Sequence, residues 1–92
     1  MANESHNDPH ALALAALTAT LGEGRRAQRF LDLTGIGTDE LRRRAGEPGL
    51  LAGLIRFLEA HEPDLLDVSA KLGVAPEQLV QARHEIEGEG EQ

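Results

Sequence analysis

The chain has 92 residues, a formal net charge of −7, four histidines and no cysteine, and its aromatic residues are two phenylalanines. A chain of this length forms one small domain, and the missing cysteines exclude a disulfide framework and a thiolate metal site. The longest apolar runs are far shorter than the ~20 residues of a membrane span, so we expect no contact with the membrane. The first ten residues have neither a basic stretch nor an apolar run, so we expect no signal peptide and a cytoplasmic location.

The negative charge is concentrated at the two ends of the chain. Residues 1–8 and 84–92 contain six acids and no lysine or arginine, whereas residues 22–46 contain six arginines against four acids. The total charge therefore argues only weakly against an anionic partner. We expect residues 1–8 and 87–92 to be disordered tails, the second one acidic, on a helical domain that spans residues 9–86.

The first predicted helix covers about residues 9–21. Pro9 can begin it because proline has no amide hydrogen to leave unsatisfied at the first helical position. Helical periodicity places Leu14, Leu17 and Leu21 on one narrow stripe, with Leu12 and Ala16 on the opposite flank.

Two short helices are predicted next. The second helix covers about residues 24–34, and Gly35 is placed to end it as a C-terminal cap. The third covers about residues 38–45, with acids in its first turn and arginines in its last, which is the favourable order for a helix dipole.

The densest apolar cluster lies in the fourth predicted helix, about residues 48–60. Its six large apolar side chains cover an arc of about 160°, wider than the ~100° stripe of an ordinary surface helix. We therefore expect this helix to be central and to touch neighbours on more than one side. Gly53 is costly in a helix interior, which predicts a close backbone approach there. The six side chains belong to Leu50, Leu51, Leu54, Ile55, Phe57 and Leu58.

Two more helices, about residues 63–72 and 76–86, complete the predicted fold. No stretch alternates β-branched or aromatic residues with polar ones, as a half-buried strand would. The sequence therefore predicts an all-α fold: a single small domain of five or six short helices packed around the apolar helix at about 48–60.

Residues 68–86 resemble the helix-turn-helix of DNA-binding regulators. Ser69 is a small residue four positions before the turn residue Gly73, and Leu79 follows six positions after it, which lets two helices cross at a steep angle. A DNA-reading second helix needs basic or amide side chains at its start, but here Glu77 would face phosphates. Packing is the simpler interpretation of this hairpin, and DNA binding is the alternative.

The turn of this hairpin also occurs earlier in the chain. Residues 35–41 align with residues 73–79 at an offset of 38 positions: each copy has a capping glycine, an apolar turn residue, an acid-containing helix start and a leucine. Two copies are too few for a solenoid. Either short helices share the same capping chemistry, which is the simpler interpretation, or a helical hairpin is duplicated.

Six arginines in the second and third predicted helices form the candidate partner-binding surface. If these helices pair as a hairpin, several guanidinium groups converge and can bind phosphate, RNA or an acidic protein segment. A solvated face with cations near helix ends is the simpler interpretation. No aromatic residue alternates with them for base stacking. The six are Arg25, Arg26, Arg29, Arg42, Arg43 and Arg44.

No pattern in the sequence predicts catalysis. The four histidines lack metal-binding spacing, and no nucleophile elbow or phosphate loop is present. The acid pairs Asp64/Asp67 and Glu59/Glu62 lie by helix ends, where solvated charges are common. We therefore expect no enzyme, no catalytic residue, no metal and no cofactor.

Six segments carry a resemblance to a known family: residues 11–17 (ALALAAL), 29–35 (RFLDLTG), 39–42 (DELR), 48–51 (PGLL) and 56–58 (RFL), and the glycine with Pro76 that opens the last helix. Together they resemble a family of small uncharacterised alphaproteobacterial proteins, a domain of unknown function. The resemblance covers about residues 9–86. It implies an all-helical fold and a bacterial cytoplasmic protein, and it carries no known activity or site residue.

The sequence is therefore interpreted as a non-enzymatic protein-interaction or regulatory helical module. Its partner is expected to be an unknown protein, or a second copy that pairs through the central helix as a homodimer. The rival hypothesis is nucleic-acid binding, either through the hairpin at 68–86 or through the arginine face at 25–44.

Overall fold

The computed structural model describes the backbone of residues 8–90 and the side chains of residues 8–88. This part of the chain folds into six α-helices and contains no strand, which confirms the all-helical prediction. None of the helices in it is long and apolar enough to cross a membrane. The helices are α1 (Pro9–Leu21), α2 (Gly24–Thr34), α3 (Thr38–Arg44), α4 (Pro48–Glu59), α5 (Glu62–Leu72) and α6 (Pro76–Gly90).

The last helix is longer than predicted. It continues through residues 87–90, where a disordered tail was expected, and the side chain of Glu87 bonds to arginines of α4 and α6. The predicted boundary at residue 86 is therefore wrong. Residues 1–7 and 91–92, which carry the rest of the two predicted tails, lie outside the described residues.

Local chemistry explains most helix ends. Asp8 accepts hydrogen bonds from the amides of His10 (3.0 Å) and Ala11 (3.4 Å), and this cap begins α1. Gly35 and Gly73 end α2 and α5 with a left-handed φ of 72°, a conformation that strains residues with a Cβ atom.

Helices α1, α4, α5 and α6 pack on one another and supply most of the core, to which α2 adds Phe30 and α3 adds Leu41. The prediction for α4 is confirmed, because all six of its large apolar side chains are buried. The first helix shares this central position, since α1 contacts α2, α4, α5 and α6. Ala13 and Ala16 are completely buried on α1, and their small side chains let neighbouring helices approach closely.

The buried face of α1 is not the stripe of Leu14, Leu17 and Leu21. Leu12 and Leu17 are buried together with the two alanines, whereas Leu14 and Leu21 are 43% and 37% exposed. The neighbours of α1 lie on its alanine flank, so two leucines of the stripe face outward.

The offset of 38 positions extends over the whole domain. Helices α1, α2 and α3 form a first repeat, and α4, α5 and α6 form a second one in the same order. Leu12, Ala16, Leu17, Phe30 and Leu41 of the first repeat are buried, and so are their counterparts Leu50, Leu54, Ile55, Val68 and Leu79.

The turns that join the first two helices of each repeat also use the same backbone hydrogen bonds. Such bonds are ordinary at the C-terminal end of a helix, so they fit shared capping chemistry as well as a duplicated unit. If the unit is duplicated, the order of the helices makes it three helices long instead of a hairpin. The bonds are Gly22 N to Thr18 O (3.1 Å) and Glu23 N to Thr20 O (3.3 Å), matched by Ala60 N to Arg56 O (3.0 Å) and His61 N to Leu58 O (3.1 Å).

The two repeats differ in their third helix. In the second repeat, α6 is 15 residues long and packs along both α4 and α1. In the first repeat, α3 has only seven residues, makes few contacts with the other helices and buries Leu41. A gap between α1 and α3 is the result.

Candidate protein-interaction groove

An apolar groove of about 370 Å³ occupies this gap, between α1, α2 and α3. Leu17 and Leu41 are its buried apolar residues, and the partly exposed Leu14 and Leu21 line it from α1. Its volume is within the ~300–1,000 Å³ of ligand pockets. We call this surface the α1–α3 groove.

The α1 side of the groove has the spacing of a helix contact face. Leu14, Leu17, Thr18 and Leu21 stand at i, i+3, i+4 and i+7, so they follow one side of the helix for about 10 Å. The hydroxyl of Thr18 donates to the carbonyl of Leu14 at 3.1 Å, so it needs no partner from an occupant. This side can therefore pack against apolar side chains without leaving a polar group unsatisfied.

Among the residues that line the groove, Arg42 is the one with a charge. Its side chain is 83% exposed. The ion-pair partner Asp39 is 88% exposed, and its Oδ1 lies 3.9 Å from Arg42 Nη1. Such a loose surface pair contributes little. Arg42 therefore offers a guanidinium group beside an apolar surface.

The structure places the other predicted arginines in different surroundings. Arg44 is paired at the end of α3, with Glu40 at 3.3 Å and Glu47 at 2.8 Å. Arg25 and Arg43 are exposed and form no ion pair with any residue of the described chain. The two remaining arginines, Arg26 and Arg29, point to α5.

Asp64 of α5 is the centre of a buried ion cluster. Its carboxylate has a side-chain exposure of 6% and accepts hydrogen bonds from Arg26 Nε at 2.9 Å and Arg29 Nη2 at 2.5 Å. His61 Nδ1 lies 3.0 Å from the same carboxylate. Burial by itself would raise the pKa of Asp64, but the bonds from the arginines and the histidine outweigh it, so the pKa lies below its usual range.

The same cluster extends to a second aspartate and to an aromatic ring. Arg26 Nη1 lies 3.0 Å from Asp67 Oδ2, and Lys71 reaches that carboxylate at 3.1 Å. The guanidinium of Arg29 stands 5.1 Å from the centre of the Phe57 ring, a cation–π contact. Arg26 and Arg29 thus connect α2 with α4 and α5, and their charges are largely used inside the protein.

Sequence reasoning identified the pair Asp64/Asp67 but assigned it to solvent, which is wrong for Asp64. A signal for the contact was present in the chain. Arg26 and Arg29 stand three positions apart, as do the two aspartates, and each arginine is 38 positions before one of them. Equivalent positions of the two repeats thus carry opposite charges and meet across α2 and α5.

The hairpin at 68–86 has the packing that its sequence predicts. Ser69 and Leu79 are buried at the positions that a steep helix crossing requires. At the start of α6, Gln78 Oε1 accepts the amide of Ala75 at 2.8 Å, so Gln78 caps its own helix. This leaves Glu77 exposed at the end that would read DNA.

The basic side chain in the middle of α6 points to α4. Arg83 donates to both carboxylate oxygens of Glu59, at 2.5 and 3.1 Å, and to Glu87 at 2.8 Å. The bond to Glu59 is the main reason why the pKa of Arg83 is raised. Arg56 of α4 also binds Glu87, at 2.7 and 3.0 Å, and thereby lowers the pKa of that carboxyl. These ion pairs hold α6 against α4.

The His61–Asp64 pair resembles the pairs that orient a catalytic histidine, but the shallow pocket that His61 lines contains no hydroxyl or thiol for it to activate. Over residues 8–88, no three histidine or acidic side chains stand close enough together to hold a metal ion.

Comparison with known families identifies the chain. Residues 6–89, nearly its whole length, match a family described as a protein of unknown function, DUF3572. The chain belongs to this family. The match confirms the predicted resemblance to an uncharacterised family. No curated protein and no solved structure matches the chain. Because the DUF3572 description names no activity, the α1–α3 groove has to be assessed from its own chemistry.

Proposed function

We propose that this DUF3572 protein is a non-enzymatic protein-interaction module of the bacterial cytoplasm, and that its α1–α3 groove binds a segment of a partner protein. The observation that carries the proposal is the exposure of Leu14 and Leu21 along an open apolar groove. Covering the exposed part of each leucine contributes ~1 kcal/mol, so two such anchors favour a specific contact.

The ion pairs of the arginines favour a protein partner over a nucleic acid. Nucleic-acid affinity rises with the number of phosphates that basic side chains neutralise. Arg26, Arg29 and Arg44 already face carboxylates of the same chain. Arg25 and Arg43, with the loosely paired Arg42, are a small set against a net charge of −7.

The burial of the central helix argues against a homodimer formed through it. The six large apolar side chains of α4 are covered by other helices of the same chain. Gly49, Gly53, Arg56 and Ala60 of this segment remain exposed, and none of them is a large apolar anchor.

A comparison of leucine variants tests the proposal. Leu14→Gln with Leu21→Gln removes both anchors, and Leu66→Gln is the matched control because Leu66 is exposed to a similar degree on α5. Circular dichroism should show that both variants fold. Cell extract is passed over the wild-type protein and the two variants, and a protein retained by the wild type is identified, purified and titrated by calorimetry.

We expect a partner that binds the wild type and the Leu66 variant equally, and the groove variant at least tenfold more weakly. A partner that binds all three proteins equally well would place the interaction surface elsewhere and refute the role of the groove.

A further inference from the structure

The second repeat shows how a helix covers the surface that the first repeat leaves open. The groove residues Leu14 and Leu17 correspond to Ala52 and Ile55 of α4, which are buried. There α6 packs along α4 and α1. The apolar side of α1 thus has a counterpart whose covering element is an α-helix.

The ion pair that closes the second repeat is absent from the first. Arg83 and Glu59 join α6 to α4, and their counterparts 38 positions earlier are Ala45 and Leu21. Both of these apolar residues line the α1–α3 groove. The first repeat therefore has an apolar surface where the second has an internal ion pair. No corresponding ion pair holds α3 against α1.

The charge at the groove indicates what else the occupant carries. Arg42 corresponds to Val80 of α6, so this guanidinium has no equivalent in the closed repeat. Within the described residues its one ion-pair partner is Asp39, at 3.9 Å and 88% exposed, and no described acidic side chain lines the groove. A carboxylate of an occupant would bind Arg42 with little competition.

We propose that the occupant of the α1–α3 groove is an amphipathic helix of another protein that carries an acidic residue beside its apolar face, and that the guanidinium of Arg42 donates to the carboxylate of that residue. The inference rests on the proposed function of the groove. Two turns of helix, with apolar side chains at i, i+3 or i+4 and i+7, match the contact face of α1 between Leu14 and Leu21. The acidic side chain follows on the flank that faces α3.

Two synthetic peptides test the charge. Both are 16-residue fluorescein-labelled helices with leucines at i, i+4 and i+7, and they differ only in glutamate or lysine at the positions that flank this stripe. Fluorescence anisotropy at physiological salt measures their affinities for the full chain. The net charge of −7 by itself favours the lysine peptide. A tighter complex with the glutamate peptide therefore cannot arise from net charge.

We expect the glutamate peptide to bind about tenfold more tightly than the lysine peptide, and Arg42→Glu to reverse this preference. Arg43→Glu is the matched control, because Arg43 is exposed on the same helix, does not line the groove, and the substitution changes the net charge equally. We expect this control to keep the preference for glutamate.

The outcomes separate this inference from the function on which it rests. Equal affinity for both peptides, with both weakened by Leu14→Gln and Leu21→Gln together, would refute the acidic partner and leave the groove as a binding site. An equal effect of Arg42→Glu and Arg43→Glu would refute the role of Arg42. Failure of both peptides to bind would overturn both proposals. A dimer in sedimentation that the leucine variant abolishes would identify a second copy as the occupant instead.

Discussion

Replacing Asp64 by asparagine tests whether the buried ion cluster holds the first repeat against the second. The amide keeps the size of the side chain and one acceptor oxygen, but it removes the charge that Arg26, Arg29 and His61 face. Arg26 is itself almost covered, so its guanidinium cannot turn to water without disturbing α2. We therefore expect a folded but clearly weakened domain.

The loss in the free energy of unfolding depends on which ion pairs and how much solvent contact Arg26 and Arg29 keep. Removing one member of a buried ion pair costs about 3–5 kcal/mol, because the other charge is left buried without a counterion. Arg26 still has Asp67 beside it, and Arg29 is half exposed, so we expect the lower end of this range. A loss of about 3 kcal/mol lowers the melting temperature of a domain of this size by roughly 12–24 °C.

Urea unfolding, monitored by circular dichroism, measures the free energy of unfolding of the wild type and of Asp64→Asn. Asp67→Asn is the matched control. Asp67 contacts the same arginine from the same helix, but it is 45% exposed, so solvent screens its charge and we expect a much smaller loss. Equal destabilisation by the two substitutions would show that burial of Asp64 does not strengthen its ion pairs, and would refute the reasoning.

The same assay has a pH dependence whose sign is set by the lowered pKa of Asp64. The ionised carboxylate stabilises the folded state at every pH above the ordinary aspartate pKa, about 4, and this contribution is lost as the pH falls through the lower pKa of the folded protein. The difference in stability between wild type and Asp64→Asn should therefore be full at pH 7 and shrink below about pH 4. A difference that stays constant down to pH 2 would contradict the ionic origin of the effect.

Three further predictions use the same unfolding assay or a binding assay. Gly73→Ala should destabilise the domain by about 1 kcal/mol because φ is 72° there. Gly53→Ala should stabilise it by up to ~1 kcal/mol because an added Cβ would have open space around it. A stabilised Gly73→Ala would contradict the first assignment, and a destabilised Gly53→Ala the second. Leu54→Asp should unfold the domain, since Leu54 is fully buried and a carboxylate there would lose its hydration; a folded variant by circular dichroism would show that α4 is not central. Gel shifts with duplex DNA and RNA should show no tight complex even at low salt, and strong binding that weakens steeply with salt would favour the nucleic-acid hypothesis.

The helices could be predicted from sequence because their ends are determined locally. A proline at the first position and a glycine that can adopt a left-handed φ act within one turn, whatever the rest of the chain does. The end of α6 is the exception. Its glycine- and glutamate-rich sequence predicts fraying after Ile86, but Glu87 is held by Arg56, which lies 31 positions earlier. Such a contact is a property of the tertiary fold.

The buried face of α1 could not be read from hydrophobicity. Helical periodicity identifies both candidate faces, and Leu14, Leu17 and Leu21 make the leucine face the more apolar one. The structure buries the alanine flank, because Ala13 and Ala16 allow α4 and α6 to approach more closely than leucines would. The same limit applies to Gly53, where a close backbone approach was predicted. Apart from its chain neighbours and the backbone of its own helix, no atom of the described residues lies within 4 Å of an added Cβ.

The candidate groove results from two differences between the first repeat and the second. Two identical repeats would have closed in the same way, with a long third helix bound to the first by an ion pair like Arg83–Glu59. The first repeat has a third helix of seven residues and apolar side chains, Leu21 and Ala45, at the positions of that pair. Its first helix keeps a leucine face that the described part of the chain leaves partly exposed. An apolar face maintained beside a loosely paired arginine has a physical reason if another helix covers it, and this is why we assign partner binding to the first repeat and the stability of the fold to the second.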